Sequence, residues 1–153
     1  MSNSHGIAIF LGFLSSFCIQ NTYACSCMQL TLMEQYQMAE HVFVGRITRT
    51  REIKSRSVNP NWNGVIGEFQ ALQALKGNPA VLQNIETGHG RGGCGVTLTV
   101  GQTYLFFIDK SGSVDICTGS RKFTSGTPED EKTLKELKAF ATQHAKPLGA
   151  CQT

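Results

Sequence analysis

Two cysteines one residue apart, Cys25-Ser26-Cys27, constrain this fold more than any other feature of the chain. A bridge between them would close a tiny, strained ring, so each needs a partner distant in sequence. The segment is then tied to a domain body at two neighbouring points. In extended backbone, residues i and i+2 share one face and i+1 points the other way. Cys25 and Cys27 are therefore expected to point inward as anchors, with Ser26 displayed outward.

What precedes the triplet reads as an export signal. Residues 1–24 hold no Lys, Arg, Asp or Glu, and an apolar run from Gly6 to Ile19 fills most of them. That run suits a signal-peptide core and is short for a membrane span. Thr22 and Ala24 are small enough for the −3 and −1 positions of a cleavage site. The departures are an n-region with only His5 and the α-amine, and a bulky Tyr23 that argues against a lipobox. The expectation is a signal peptide over residues 1–24 and one exported domain over 25–153, beginning with a free cysteine amine. No later apolar segment is long enough to span a membrane. The protein is thus expected outside the cell, or in the periplasm of a bacterium. The net charge of +3 is too weak to argue for nucleic acid by itself.

Of six cysteines, Cys18 leaves with the leader. Export makes disulfides the default use of the other five. A soft-metal site at Cys25 and Cys27 is the second use. Two long-range bridges from the N-terminal pair to Cys94 and Cys117 are the natural solution. Cys151 is left over, either free in a monomer or joining a dimer. Loops of this size should stabilise the fold by roughly 4 kcal/mol each on a chain-entropy account.

Thr31-Leu-Met-Glu34 reads as a capping box opening a helix through about Glu40, with Leu32, Tyr36 and Ala39 on its core face. Strands are expected over His41–Arg51, Gly64–Leu75, Val81–Thr87, Thr103–Asp109 and Val114–Cys117. Residues 52–63, with Asn59-Pro60-Asn61 and Trp62, form a polar loop. Thr127-Pro128-Glu129-Asp130 opens a second helix, with Pro at its first position and acid in its first turn. Leu134, Leu137 and Phe140 make its apolar stripe, and Lys132, Lys135 and Lys138 its solvated face. The expected fold is mainly β, a five-stranded OB-type Greek-key barrel with a short N-terminal helix and a C-terminal helix, stapled by disulfides.

Few motifs carry side-chain chemistry. Gly88-His-Gly-Arg-Gly-Gly93 fits G-x-G-x-x-G, but a dinucleotide site needs a helix after the glycines, and Val96-Thr-Leu-Thr-Val100 reads as extended. It is better read as a flexible loop, or one that lets a partner approach the backbone. His41, His89 and His144 lack metal-ligand spacing. No hydrolase motif or acid pair stands out, so an enzyme is not expected.

Together these residues resemble the tissue inhibitors of metalloproteinases. The resemblance is carried by Cys25-Ser-Cys27, Val42-Phe-Val-Gly-Arg46, Cys94-Gly-Val-Thr-Leu-Thr-Val-Gly101, Tyr104-Leu-Phe106 and Asp115-Ile-Cys117. It matches the family's N-terminal, OB-fold (netrin-like) domain and runs from Cys25 to about Phe140. It implies bridges Cys25–Cys94 and Cys27–Cys117. It also implies that the α-amine and carbonyl of Cys25 chelate the catalytic zinc of a metalloproteinase, the inhibitor having no cofactor of its own. Ser26 would enter the enzyme's S1′ pocket, Cys27, Met28 and Gln29 would continue along the cleft, and Gly92-Gly93 would lie on the other side of the zinc. The chain departs from the family pattern in three ways. It has no cysteine between Met28 and Gly93 for the third bridge. It has no counterpart of the cysteine-rich second domain. Met28-Gln29-Leu30 stands where prolines are usual. A minimal, microbial relative would fit.

Elementary coordination chemistry supports the implied role. A catalytic zinc keeps one position open for water. An amine and a carbonyl of one residue close a five-membered chelate ring and can displace that water. The expected function is a secreted inhibitor of zinc metalloproteinases. The competing reading is a non-inhibitory netrin-like or OB module that grips a protein, matrix or glycan partner through its basic surface. A periplasmic thiol or copper protein is a third, and nucleic acid is disfavoured by export and sparse exposed aromatics.

Overall fold

A computed structural model describes residues 25–54, 63–89 and 94–144. The expected leader, Trp62, Gly92, Gly93 and Cys151 lie outside the described residues. In chain order come α1 (Leu32–Met38), β1 (His41–Lys54), β2 (Asn63–Lys76), a 3-10 turn (Pro79–Val81), β3 (Ile85–Gly88), β4 (Thr103–Ile108), β5 (Ser113–Val114), β6 (Arg121–Lys122) and α2 (Pro128–His144). No helix of the described residues is long and apolar enough to cross a membrane.

The six strands form one sheet in the order β5-β3-β2-β1-β4-β6. All pairs are antiparallel except β3 with β5. β5 hydrogen-bonds to β3 yet also lies against β4, with three strands between the two in the order, so the sheet curls into an open half-barrel. The expected five strands are thus six, and the barrel is open.

The differences have local causes. The expected strand Val81–Thr87 begins only at Ile85, because Pro79 starts a 3-10 turn and the Asn78 side chain accepts from Ala80 N–H at 3.1 Å. The expected strand Val114–Cys117 is instead Ser113–Val114, since Asp115 turns the chain immediately afterwards. Residues 96–99 form no regular strand; Tyr104 fixes them, its hydroxyl donating to Thr97 C=O at 2.7 Å and accepting from Thr99 N–H at 3.0 Å. β1 and β2 each run past the expected ends, to Lys54 and Lys76. β6 has no apolar pattern from which a strand could be read.

The sheet buries both faces, and this explains the runs of β1 and β4. His41 to Gly45 and Tyr104 to Ile108 are buried without alternation. Alternate residues serve two cores. Val42, Val44, Leu105 and Phe107 pack with Tyr36, Leu134 and Leu137 beneath the helices. Phe43, Ile47, Tyr104, Phe106 and Ile108 fill the inside of the curl with Ile85, Val96 and Val114. Phe43 sits 5.0 Å from Phe69 and 5.3 Å from Phe106 between ring centroids, within the range where aromatic pairs attract.

The capping box at α1 forms as expected. Glu34 N–H donates to the Thr31 hydroxyl, and Thr31 N–H donates to the Glu34 carboxylate at 2.7 Å. The Thr31 backbone bond, and then its hydroxyl, holds the Glu34 pKa below the ordinary glutamate value. Its contribution to α1 is therefore complete above the ordinary Glu range and fades as pH falls through the lowered value.

The other end of α1 has no basic residue of its own. Lys76, at the end of β2, supplies the charge. Its ammonium donates to Tyr36 C=O at 2.7 Å, to Gln37 C=O at 3.0 Å and to Ala39 C=O, and lies 5.1 Å from the Tyr36 ring centroid. Burial draws the Lys76 pKa below the ordinary lysine value, and Glu40 partly offsets this. A cation among orphan carbonyls at a helix end is favourable on both dipole and hydrogen-bond grounds. Lys76→Met keeps the apolar stem and removes the donors. It is expected to cost about 1–2 kcal/mol, read as a lower midpoint in urea at unchanged slope.

Candidate functional site

The first described residues form the candidate site. Cys25–Gln29 is an irregular segment tied by disulfides to two loops, and it leads through Leu30 and Thr31 into α1. Cys25 is bridged to Cys94 and Cys27 to Cys117, with Cα separations of 5.7 and 5.1 Å. The pairing is the one that the family resemblance implies. The expected alternation also holds: Cys25 and Cys27 are half-buried, whereas Ser26 is exposed. Met28 is 76% exposed and Gln29 is exposed beside it.

The two bridges end on one rigid unit. Gly95 pairs with Asp115 in an isolated antiparallel bridge, and Ile116 N–H donates to Cys94 C=O at 2.9 Å. The Asp115 carboxylate accepts from Cys117 N–H at 2.7 Å and Thr118 N–H at 2.9 Å, which fixes the turn that carries Cys117. Cys94 itself adopts a left-handed φ of 55°, uncommon for a residue with a Cβ. That conformation persists because its sulfur, its carbonyl and its successor are all held.

Its successor explains one glycine. A Cβ on Gly95 would lie 1.7 Å from the Gly88 carbonyl oxygen, so the strand end and the loop touch backbone to backbone. Only glycine allows this approach. Val96 N–H then donates to the buried Thr87 hydroxyl at 2.8 Å, which continues the seam. Gly95→Ala must push β3 and the Cys94 loop apart. It is expected to destabilise by about 1–3 kcal/mol, read in chemical denaturation, and to weaken any activity carried by Cys25.

A third tether lies at Leu30, whose carbonyl accepts from Gln35 Nε2 at 3.3 Å. The Gln35 amide in turn packs on Gly119, where a Cβ would lie 2.4 Å from its oxygen. The segment is thus held at residues 25, 27 and 30 and displays residues 26, 28 and 29. Among the described residues, no hydrogen bond uses the backbone N–H or C=O of any residue from Cys25 to Gln29. It lies outside the sheet, and its main-chain groups have no hydrogen-bond partner among the described residues.

A pocket of about 310 Å³ opens behind this ridge. Ser26 and Cys27 form one wall, α1 contributes Met38, and Phe107, Asp109 and Asp115 complete it. Leu30, Met38, Asp109 and Asp115 were not singled out from sequence as site residues. Asp115 appears there only inside the phrase Asp115-Ile-Cys117. Its spacing before Cys117 and Thr118 is the signal of a side-chain-capped turn.

Other candidates stay apart from the ridge. Of the described members of the glycine-rich loop, Gly88 ends β3 and His89 follows it, and no helix follows Gly95. His41 is buried at the start of β1, its Nδ1 without a partner among the described residues. Lys132, Lys135 and Lys138 are exposed on α2. No group of three or more His, Cys, Asp or Glu among the described residues is arranged to hold a metal ion. Comparison with protein-family models and with curated proteins found no match to this chain.

Proposed function

We propose that the protein is a secreted inhibitor of zinc metalloproteinases that acts through the amine and carbonyl of Cys25. The observation that carries this reading is the ridge itself. Its backbone is clamped by two disulfides, yet among the described residues no main-chain donor or acceptor from Cys25 to Gln29 has an intramolecular partner. Such a strand can pair with the walls of a proteinase cleft in the manner of an added β-strand. Little ordering remains to be done on binding, so little affinity is lost to it.

In this reading a signal peptide ends at Ala24, and cleavage frees the Cys25 amine. The amine nitrogen and carbonyl oxygen of Cys25 hold the enzyme's catalytic zinc, which itself supplies the Lewis acidity. Ser26, exposed between two anchored cysteines, enters the S1′ pocket. Cys27, Met28 and Gln29 line the cleft beyond it, and the segment with Gly92 and Gly93 lies across the zinc. The half-barrel beneath the ridge is read as an OB-type arrangement, and its strand order is what supports that reading. β1 joins β2 and β4, β2 joins β3, and β3 joins β5 in parallel while β5 lies against β4.

The test is inhibition of a panel of zinc metalloproteinases by the exported protein, with its N-terminus sequenced. Inhibition is expected, with Cys25 as the first residue. A mature end elsewhere, or no inhibition by a chain that begins at Cys25, overturns the reading. The pH dependence has a definite sign. A protonated amine cannot ligate, and the reference α-amino pKa is about 7.7–8.0. Affinity is expected to fall by up to about tenfold per pH unit below that range, measured as the inhibition constant between pH 8 and pH 6.

A further inference from the structure

The pocket behind the ridge has a composition that the inhibitory reading does not use. Its apolar lining includes Met28, Leu30, Met38, Ala39 and Phe107, and the charged residues in its lining are Asp109 and Asp115. Among the described residues no Lys, Arg or His lines it, although the chain carries a net charge of +3. Each aspartate spends one oxygen on its own turn. Asp109 Oδ1 accepts from Ser111 N–H at 2.8 Å and from the Ser111 hydroxyl. Asp115 Oδ1 accepts from Cys117 and Thr118 N–H. The Oδ2 atom of each has no hydrogen-bond or ion-pair partner among the described residues.

Three physical features define what would fit. The volume lies at the bottom of the roughly 300–1,000 Å³ range of small-molecule sites, which suits one or two side chains better than a cofactor. Two of the lining residues are methionines, 76% and 66% exposed, whose unbranched thioethers reshape around varied apolar partners. Two unneutralised carboxylates with no basic neighbour in the lining select for positive charge. Ser26 and Cys27 are also pocket wall, so any chain lying along the ridge passes the pocket mouth.

We propose that the pocket is a second contact point for the target proteinase, receiving an apolar side chain from a basic, extended segment beside the enzyme's cleft. The apolar tip lies among Met28, Met38 and Phe107, and a flanking Lys or Arg meets Asp109 and Asp115. This rests on the reading of Cys25–Gln29 as the inhibitory ridge, and it assigns the pocket the task of choosing among metalloproteinases whose zinc sites are alike.

The test uses the exported chain with 13C-methyl methionine and two short probes, acetyl-Lys-Leu-Lys-amide and acetyl-Glu-Leu-Glu-amide. Met33, which does not line the pocket, is the internal reference. The basic peptide is expected to shift the Met28 and Met38 methyl signals and leave Met33 in place. The acidic peptide is expected to shift none. The Asp109→Asn, Asp115→Asn double variant keeps both Oδ1 acceptors and removes both charges. It is expected to weaken binding of the basic peptide at least tenfold, and inhibition of a susceptible proteinase about tenfold, with its other methyl signals unmoved. Failure of the basic peptide to shift Met28 and Met38, or equal shifts from both peptides, overturns the proposal. Acetylating the Cys25 amine separates the two readings. If it abolishes inhibition while the basic peptide leaves the methyls unmoved, the pocket proposal falls and the ridge stands. If peptide binding persists and acetylation spares inhibition, the chelation reading falls and the pocket remains a basic-peptide site.

Discussion

One alanine added before Cys25 is expected to lower inhibition of a zinc metalloproteinase at least a hundredfold. The addition turns a free amine into a peptide nitrogen, whose lone pair is delocalised and does not ligate a metal. It also places a residue where the open coordination position lies. Nothing in the fold should change, since Cys25 remains bridged to Cys94 and its backbone makes no hydrogen bond among the described residues that the extension would break. Central contacts in a tight interface commonly contribute 2 kcal/mol or more, and about 2.7 kcal/mol corresponds to the hundredfold stated. The comparison is of inhibition constants for the two chains at pH 8, with unfolding midpoints as control. Equal inhibition by both would exclude chelation through Cys25, and a lowered midpoint would trace any loss to the fold instead.

The second large effect concerns Cys27 and Cys117. Replacing both with alanine opens a loop with a sequence separation of 90 and is expected to destabilise by about 4 kcal/mol. The bridge also forms part of the pocket wall and anchors the middle of the ridge. With Cys25 and Leu30 as its remaining tethers among the described residues, the segment must be ordered when it binds, and inhibition should weaken by about tenfold or more beyond what misfolding explains. Urea unfolding gives the first quantity. Inhibition measured well below the denaturation midpoint gives the second. A variant with full inhibition and reduced stability would show that the Cys27 anchor serves the fold alone.

Part of this organisation is legible from residue types. Thr31 and Glu34 define the start of α1 because a capping box is closed within four residues. Pro128 and its acidic neighbours define the start of α2 in the same local way. The roles of Cys25, Ser26 and Cys27 follow from strand alternation, which is equally local. Other features depend on distant partners. Lys76 reads as the end of a strand, yet it caps a helix some forty residues earlier. β6 exists only because Arg121 and Lys122 fall beside Leu105 and Tyr104, and no apolar period marks it. Gly95 lies among many glycines in sequence, and only its contact with Gly88 distinguishes it.

By itself the sequence determined which residues anchor the N-terminal segment and which one it displays, because a period of two and the strain of a tiny disulfide ring require nothing beyond the chain's own geometry. The tertiary structure alone decided that the sheet opens as a six-stranded half-barrel, and that Met28, Met38, Asp109 and Asp115 share one pocket. Those residues come from the ridge, α1 and two separate turns. Their proximity arises from the curl of the sheet and the packing of α1 against it, long-range contacts that no local pattern encodes.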